Sequence, residues 1–185
     1  MCGNMRAALL QHKTLQGPSL TKINKTAEQL LQRLLEAKRT KGRPRAVLQA
    51  ATLYAAYRVN GVPVTLDMLA EQFNVSRKDL ARAYRMMTYE FKLRPKIDSP
   101  EDYVVRYAAR FGKKNADRAL NILARAREAK IHLGKKPACL AAAALYLASG
   151  GKLLQKDLAK FFGISGLGIR LSTEILQPLI DNGGP

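Results

Sequence analysis

The chain is poor in most of the residues from which catalytic, metal-bound or disulfide-built proteins are made. Cysteine occurs twice in 185 residues, as Cys2 and Cys139. A structural zinc ribbon takes four ligands, usually from paired Cys-x-x-Cys motifs, so none can be assembled here. The lack of a disulfide framework suits a reducing interior, and Cys139, inside an alanine-rich run, reads as a small buried hydrophobe. Histidine is equally scarce: His12 and His132 stand alone, in neither a metal nor a triad spacing. Gly166-Leu167-Gly168 is too short for a nucleotide-binding loop. The expectation is a protein that is not an enzyme and holds no metal or cofactor. Long apolar runs are missing too, since the longest, Ala138 to Ala148, falls well short of the ~20 residues of a membrane span. With no basic-then-apolar leader, an intracellular protein without a membrane partner is expected.

Acidic residues are the most telling scarcity. Fourteen Asp and Glu face 32 Lys and Arg, a net charge of +18. Residues 1–98 hold 18 basic and 7 acidic side chains (+11), and residues 99–185 hold 14 and 7 (+7), so the excess belongs to the whole chain. A folded protein this basic repels itself, which points to a polyanionic partner, nucleic acid first. The plainer alternative is a solvated basic surface.

What the chain does have is an internal repeat. Residues 42–56 laid over 134–148 match at Gly42/Gly134, Ala46/Ala138, Leu48/Leu140, Ala50/Ala142, Ala51/Ala143, Leu53/Leu145, Tyr54/Tyr146 and Ala56/Ala148. With a loop three residues shorter, Leu69-Ala70 meets Leu158-Ala159, Phe73 meets Phe162, Val75 meets Ile164 and Ser76 meets Ser165. One fold used twice is the simplest reading.

Apolar residues recur at helical spacing, as in Leu30, Leu31, Leu34 and Leu35, or Ala119, Ile122, Leu123 and Ala126. No strand pattern competes, so the fold class is all-α. Helices are expected near 4–12, 24–38, 44–58, 66–73 and 77–91 in copy one, and near 100–111, 115–131, 137–148, 154–162 and 166–179 in copy two. The alanine-rich third helix of each copy suits a central helix approached closely on all sides, and Pro137 fits the first turn of one. Lys96–Pro100, with Asp-Ser-Pro, is the natural boundary, giving domains 1–97 and 98–185. His132 reads as a dipole-friendly residue at a helix C-terminus.

The last two helices of each copy are joined by a very short turn. In Leu66 to Leu80, Ala70 allows a close crossing, Asn74 can take the left-handed conformation, and Val75 and Leu80 anchor the second helix. Ser76 with Asp79 is a capping-box-like start. This is the helix-turn-helix spacing, whose second helix can enter a major groove. Copy two repeats it with Leu158, Ala159, Gly163, Ile164, Ser165 and Ile169. Its second helix opens Ser165-Gly166-Leu167-Gly168, and two glycines at a helix start suit a backbone that approaches a phosphate chain. Basic residues gather around both motifs: Lys38, Arg39, Lys41, Arg43 and Arg45; then Arg77, Lys78, Arg82 and Arg85; then Lys135, Lys136, Lys152, Lys156 and Lys160. Such side chains neutralise phosphates and release counterions.

Gly134-Lys135-Lys136-Pro137-Ala138-Cys139-Leu140, continuing through Ala141–Ala144 to Leu145-Tyr146, closely resembles the second-repeat signature of transcription factor IIB and archaeal transcription factor B. Asp102-Tyr103-Val104-Val105-Arg106-Tyr107-Ala108 resembles the opening of that repeat. Gly61-Val62-Pro63-Val64-Thr65-Leu66-Asp67 and Ala81-Arg82-Ala83-Tyr84-Arg85 resemble the first-repeat signature. The resemblance covers nearly the whole chain. It implies two tandem five-helix cyclin-like domains, each ending in a helix-turn-helix, that bind a TATA-binding protein seated on bent promoter DNA and help place RNA polymerase. In such a family the second repeat reads an element upstream of the TATA box, with Arg170 and its apolar neighbour Leu167 in the reading positions. The first repeat contacts DNA downstream, where Arg82 matches. The DNA-binding set implied is therefore Arg77, Lys78, Arg82, Arg85, Lys135, Lys136, Lys152, Lys156, Ser165, Gly166, Leu167 and Arg170.

Three departures stand out. The family's N-terminal zinc ribbon and polymerase-entering linker do not precede the first core helix, so RNA polymerase would be met through that missing region of a full-length factor. The second recognition helix continues Leu171-Ser172-Thr173-Glu174, where polar or basic residues and a tyrosine are usual. Leu154 and Leu153 replace a capping threonine and a basic residue. The resemblance suggests a monomer in the archaeal cytoplasm, or in the nucleus of a eukaryote. Two other readings are a naturally ribbonless paralogue acting as a regulator or inhibitor, and a cyclin-like protein that docks on a kinase.

Overall fold

The computed structural model describes residues 19–181, which hold helices and loops and no strand. The chain divides between Ile97 and Asp98 into two compact units. The helix expected over 4–12 lies outside the described residues.

In the first unit α1 spans Ser19–Glu36, α2 Arg45–Val59, α3 Leu66–Gln72 and α4 Arg77–Glu90. Helix α1 buries Ile23, Ala27, Leu30 and Leu34 against α2, a stripe at helical spacing. It begins earlier than the sequence suggests because its first turn holds a single apolar residue, Leu20, too little to mark a helical period. Helix α2 is buried from Val47 to Tyr57 on nearly every face. Its alanines let α1, α3 and α4 approach.

The second unit runs α5 Pro100–Phe111, α6 Lys113–Glu128, α7 Pro137–Ala148, α8 Gln155–Phe162 and α9 Gly166–Asp181. Helix α7 is the central element, buried from Ala138 to Leu145 and packed by all four neighbours. Pro137 occupies its first turn. Phe162 on α8 is fully buried and meets Tyr103, Tyr107, Phe111 and Phe161 ring to ring, with centroids 5.0–6.0 Å apart. Ser99 starts α5 with a complete capping box: its Oγ accepts from the Asp102 N–H at 3.1 Å, and the Ser99 N–H donates to Asp102 at 3.0 Å.

The repeat is written in the backbone as well as the side chains. Left-handed residues fall at corresponding places: Lys38 and Lys130 after α1 and α6, Gly61 and Gly150 after α2 and α7, Asn74 and Gly163 after α3 and α8. The first pair explains why α1 and α6 stop earlier than their apolar periodicity does. At each, the following N–H turns back to a carbonyl five residues earlier, Arg39 to Leu34 at 3.1 Å and Ile131 to Ala126 at 3.1 Å. His132 consequently lies beyond α6, with its Nδ1 3.3 Å from the Ala126 carbonyl.

Candidate nucleic-acid interface

Helices α3 and α4 are set by their caps and their turn. Thr65 Oγ1 accepts from the Met68 N–H at 3.3 Å to start α3. Asn74 takes φ +48°, and the Val75 N–H closes the turn onto the Ala70 carbonyl at 2.9 Å. Leu69, Leu80, Ala83 and Met87 then bury one face of the pair. Ser76 Oγ accepts from the Lys78 N–H at 3.2 Å. Asp79 does not complete the capping box that Ser76 suggested; it faces Arg82 at 3.7 Å, one turn along its own helix. Arg77 donates to Asp67 at 3.1 Å and ties the first turn of α4 to that of α3. What remains outward on α4 is Lys78, Arg82, Arg85 and Tyr89, all exposed and spaced by four, three and four residues. They form one stripe of three cations ending in an aromatic ring.

The same scaffold recurs in α8 and α9. Gly163 takes φ +59°, the Ile164 N–H reaches the Ala159 carbonyl at 3.0 Å, and Leu158, Phe162, Ile169, Ser172 and Leu176 are buried. Ser165 Oγ accepts from the Gly168 N–H at 3.1 Å, whereas Leu154 gives α8 no side-chain cap. Gly168 has a tighter reason to be glycine than approach to phosphate. A Cβ there would lie 2.9 Å from Cys139 Sγ, so its absence lets α9 close onto α7. Gly166, by contrast, has nothing within 4 Å of a Cβ. Gly168→Val is therefore expected to destabilise this unit by about 1–3 kcal/mol through overpacking. Cys139→Ala in the same chain should return part of that loss in urea denaturation; an unchanged midpoint for Gly168→Val would contradict the contact.

The Gly168–Cys139 approach sets the first turns of α7 and α9 side by side. Burial pushes the Cys139 thiol up, and the Lys136 charge opposes it; Lys136 is exposed at the N-cap of α7, just before its first turn. Lys135 precedes it in the same exposed loop. Lys156 is exposed in the first turn of α8. Lys152 lines a cleft of about 250 Å³ with Arg110, Phe111, Leu154 and Phe161, away from the α7–α9 corner. Leu167 and Arg170 both face solvent, and Arg170 joins none of the ion pairs among the described residues. Two exposed residues stand beside the expected set: Tyr89, at the end of the α4 stripe, which the sequence did not single out, and Leu171, one turn beyond Leu167 on α9, which it marked only as a departure from the family pattern. Spacing alone could have flagged both. Among the described residues no group of His, Cys, Asp and Glu could hold a metal ion, and no helix is long and apolar enough to cross a membrane.

Two helical units, each closing on a helix-turn-helix whose second helix is exposed, define a tandem all-helical repeat protein. The transcription factor TFIIB repeat model matches residues 14–90 and again 95–167. The chain belongs to the transcription factor TFIIB family. It is 36% identical over 153 residues to transcription initiation factor IIB of Archaeoglobus fulgidus, covering 80% of this chain and 47% of that protein. It is 37% identical over 150 residues to the factor of Pyrodictium occultum (78% and 48%), and 35% identical over 164 residues to that of Methanoculleus marisnigri (86% and 49%). The chain thus spans about half the length of the curated relatives it matches.

Proposed function

We propose that this chain is a promoter-binding core that engages a TATA-binding protein on DNA and contacts the duplex on both sides of the TATA box, helping to place RNA polymerase in the cell interior. The observation that carries the reading is the pairing of two exposed recognition helices with a net charge of +18. The relatives' shared name, transcription initiation factor IIB, supports it. In this reading Lys78, Arg82 and Arg85 hold phosphates or a narrow minor groove downstream. Arg170, supported by Ser165, Gly166 and Lys136, enters the major groove upstream. Arginine suits both tasks, through bidentate contact to guanine or insertion into a narrowed groove.

A gel shift on a TATA-containing duplex with TATA-binding protein is expected to show a supershifted band when this chain is added at low salt. The band should weaken when the flanking sequence is cut away on either side. No supershift, or one indifferent to the flanks, would refute the proposal.

A further inference from the structure

The exposed face of α9 is not what phosphate binding alone would need. Over its first nine residues the outward positions are Gly166, Leu167, Arg170, Leu171 and Glu174. At about 100° per residue these fall on one side of the helix, with Leu167 and Leu171 stacked one turn apart along one edge and Arg170 beside them. Leu167 is 55% exposed and Leu171 49% exposed. Their counterparts on α4, at a shift of 89, are Lys78 and Arg82. Two leucines therefore stand where the first repeat puts two cations, and Glu174 stands where it puts Arg85. A face built to neutralise phosphate in one repeat has become apolar, with a single arginine, in the other.

Resting on the promoter-binding reading above, we infer that Leu167 and Leu171 make α9 a reader of thymine methyl groups beside a guanine held by Arg170. The occupant is argued from charge and geometry. The face belongs to the second helix of a helix-turn-helix, its arginine joins none of the ion pairs among the described residues, its first turn lies against that of α7, which Lys136 precedes, and the chain carries +18. In the major groove the thymine C5-methyl is the largest apolar group on any base edge, and it is the one that a leucine covers best. One helical turn separates the leucines by about 6 Å, and base pairs rise about 3.4 Å each. The two methyls therefore lie within about two steps of each other.

The test selects tightly bound duplexes, in complex with TATA-binding protein, from promoters randomised upstream of the TATA box, then remakes the chosen duplex with deoxyuridine for thymine in that segment. Selected segments should place thymine next to or one step from guanine. Each lost methyl should weaken wild-type binding about fourfold, from about 0.8 kcal/mol per buried methyl-sized group. Leu171→Asn should bind the thymine and deoxyuridine duplexes more nearly alike while still forming the TATA-dependent complex. Equal wild-type binding to both duplexes would overturn the inference and leave the promoter reading standing. So would a Leu171→Asn variant that keeps the full thymine preference, or one that loses only TATA-binding protein or self-association, which would make this face a protein dock. Failure to form any complex on TATA duplexes would overturn the promoter reading itself, and this inference with it.

Discussion

Phe162→Ala is expected to cost about 3–5 kcal/mol, the usual range for deleting a fully buried ring, and so to consume a large share of the stability of a unit this size. The side chain is fully buried on α8. It meets Tyr103, Tyr107 and Phe111 of α5 and its neighbour Phe161. Its edge-to-face pairs add to the transfer loss. The first repeat supplies an internal control. Phe73, at the corresponding place, is only half-buried against its core, so Phe73→Ala should cost clearly less. Chemical denaturation of the two variants checks this. Equal losses, or a loss for Phe162→Ala below about 1 kcal/mol, less than a single buried Ile→Val change can cost, would show that the aromatic cluster does not hold α8 in place.

The second large effect is in affinity for DNA against salt. If the two recognition helices and the loops beside them neutralise about six phosphates, raising salt from about 50 to 200 mM should lower affinity on the order of 10³-fold. Lys78→Ala and Arg85→Ala should each reduce the slope of log affinity against log salt by about one, with equal loss on all sequences. Arg170→Ala should instead cost about 1–3 kcal/mol on the preferred upstream sequence and little elsewhere. Titration by fluorescence anisotropy at several salt concentrations separates these outcomes. A flat salt profile, or an Arg170→Ala loss that ignores sequence, would contradict the roles given to the two helices.

Much of the architecture could be read from the chain because it is written twice. The central alanine-rich helices, the short turn at Asn74 and Gly163, and the burial of Cys139 all follow from local composition and from the offset between copies. Helix ends were harder. Ser19 to Lys22 begins α1 with one apolar residue, Leu20, too few to mark a period, and α6 stops at Glu128, before the left-handed Lys130, while its apolar pattern runs on to Ile131. Ser99-Pro100-Glu101-Asp102 carries a capping box in plain sight, yet its proline and aspartate neighbours read first as a linker. The role of Gly168 could not be read at all, since it depends on which residue of α7 lies opposite. For the same reason the sequence named the cations around the second motif but not which of them share a corner. Lys136 precedes α7, whose first turn lies against that of α9, while Lys152 lines a cleft with Arg110.

The carboxylates beside the cations of α4 act as tethered counterions. Asp67 lies 3.1 Å from Arg77, and Asp79 lies 3.7 Å from Arg82. An anion arriving at either arginine meets a carboxylate that cannot diffuse away, so the attraction there is partly cancelled. These two arginines hold shape in the free protein and contribute less than a full charge to non-specific attraction. Lys78, Arg85 and Arg170 carry no such partner among the ion pairs of the described residues. The cations of α4 and α9 are thus of two kinds: Arg77 and Arg82 are already matched by a carboxylate, and Lys78, Arg85 and Arg170 are open to an incoming anion.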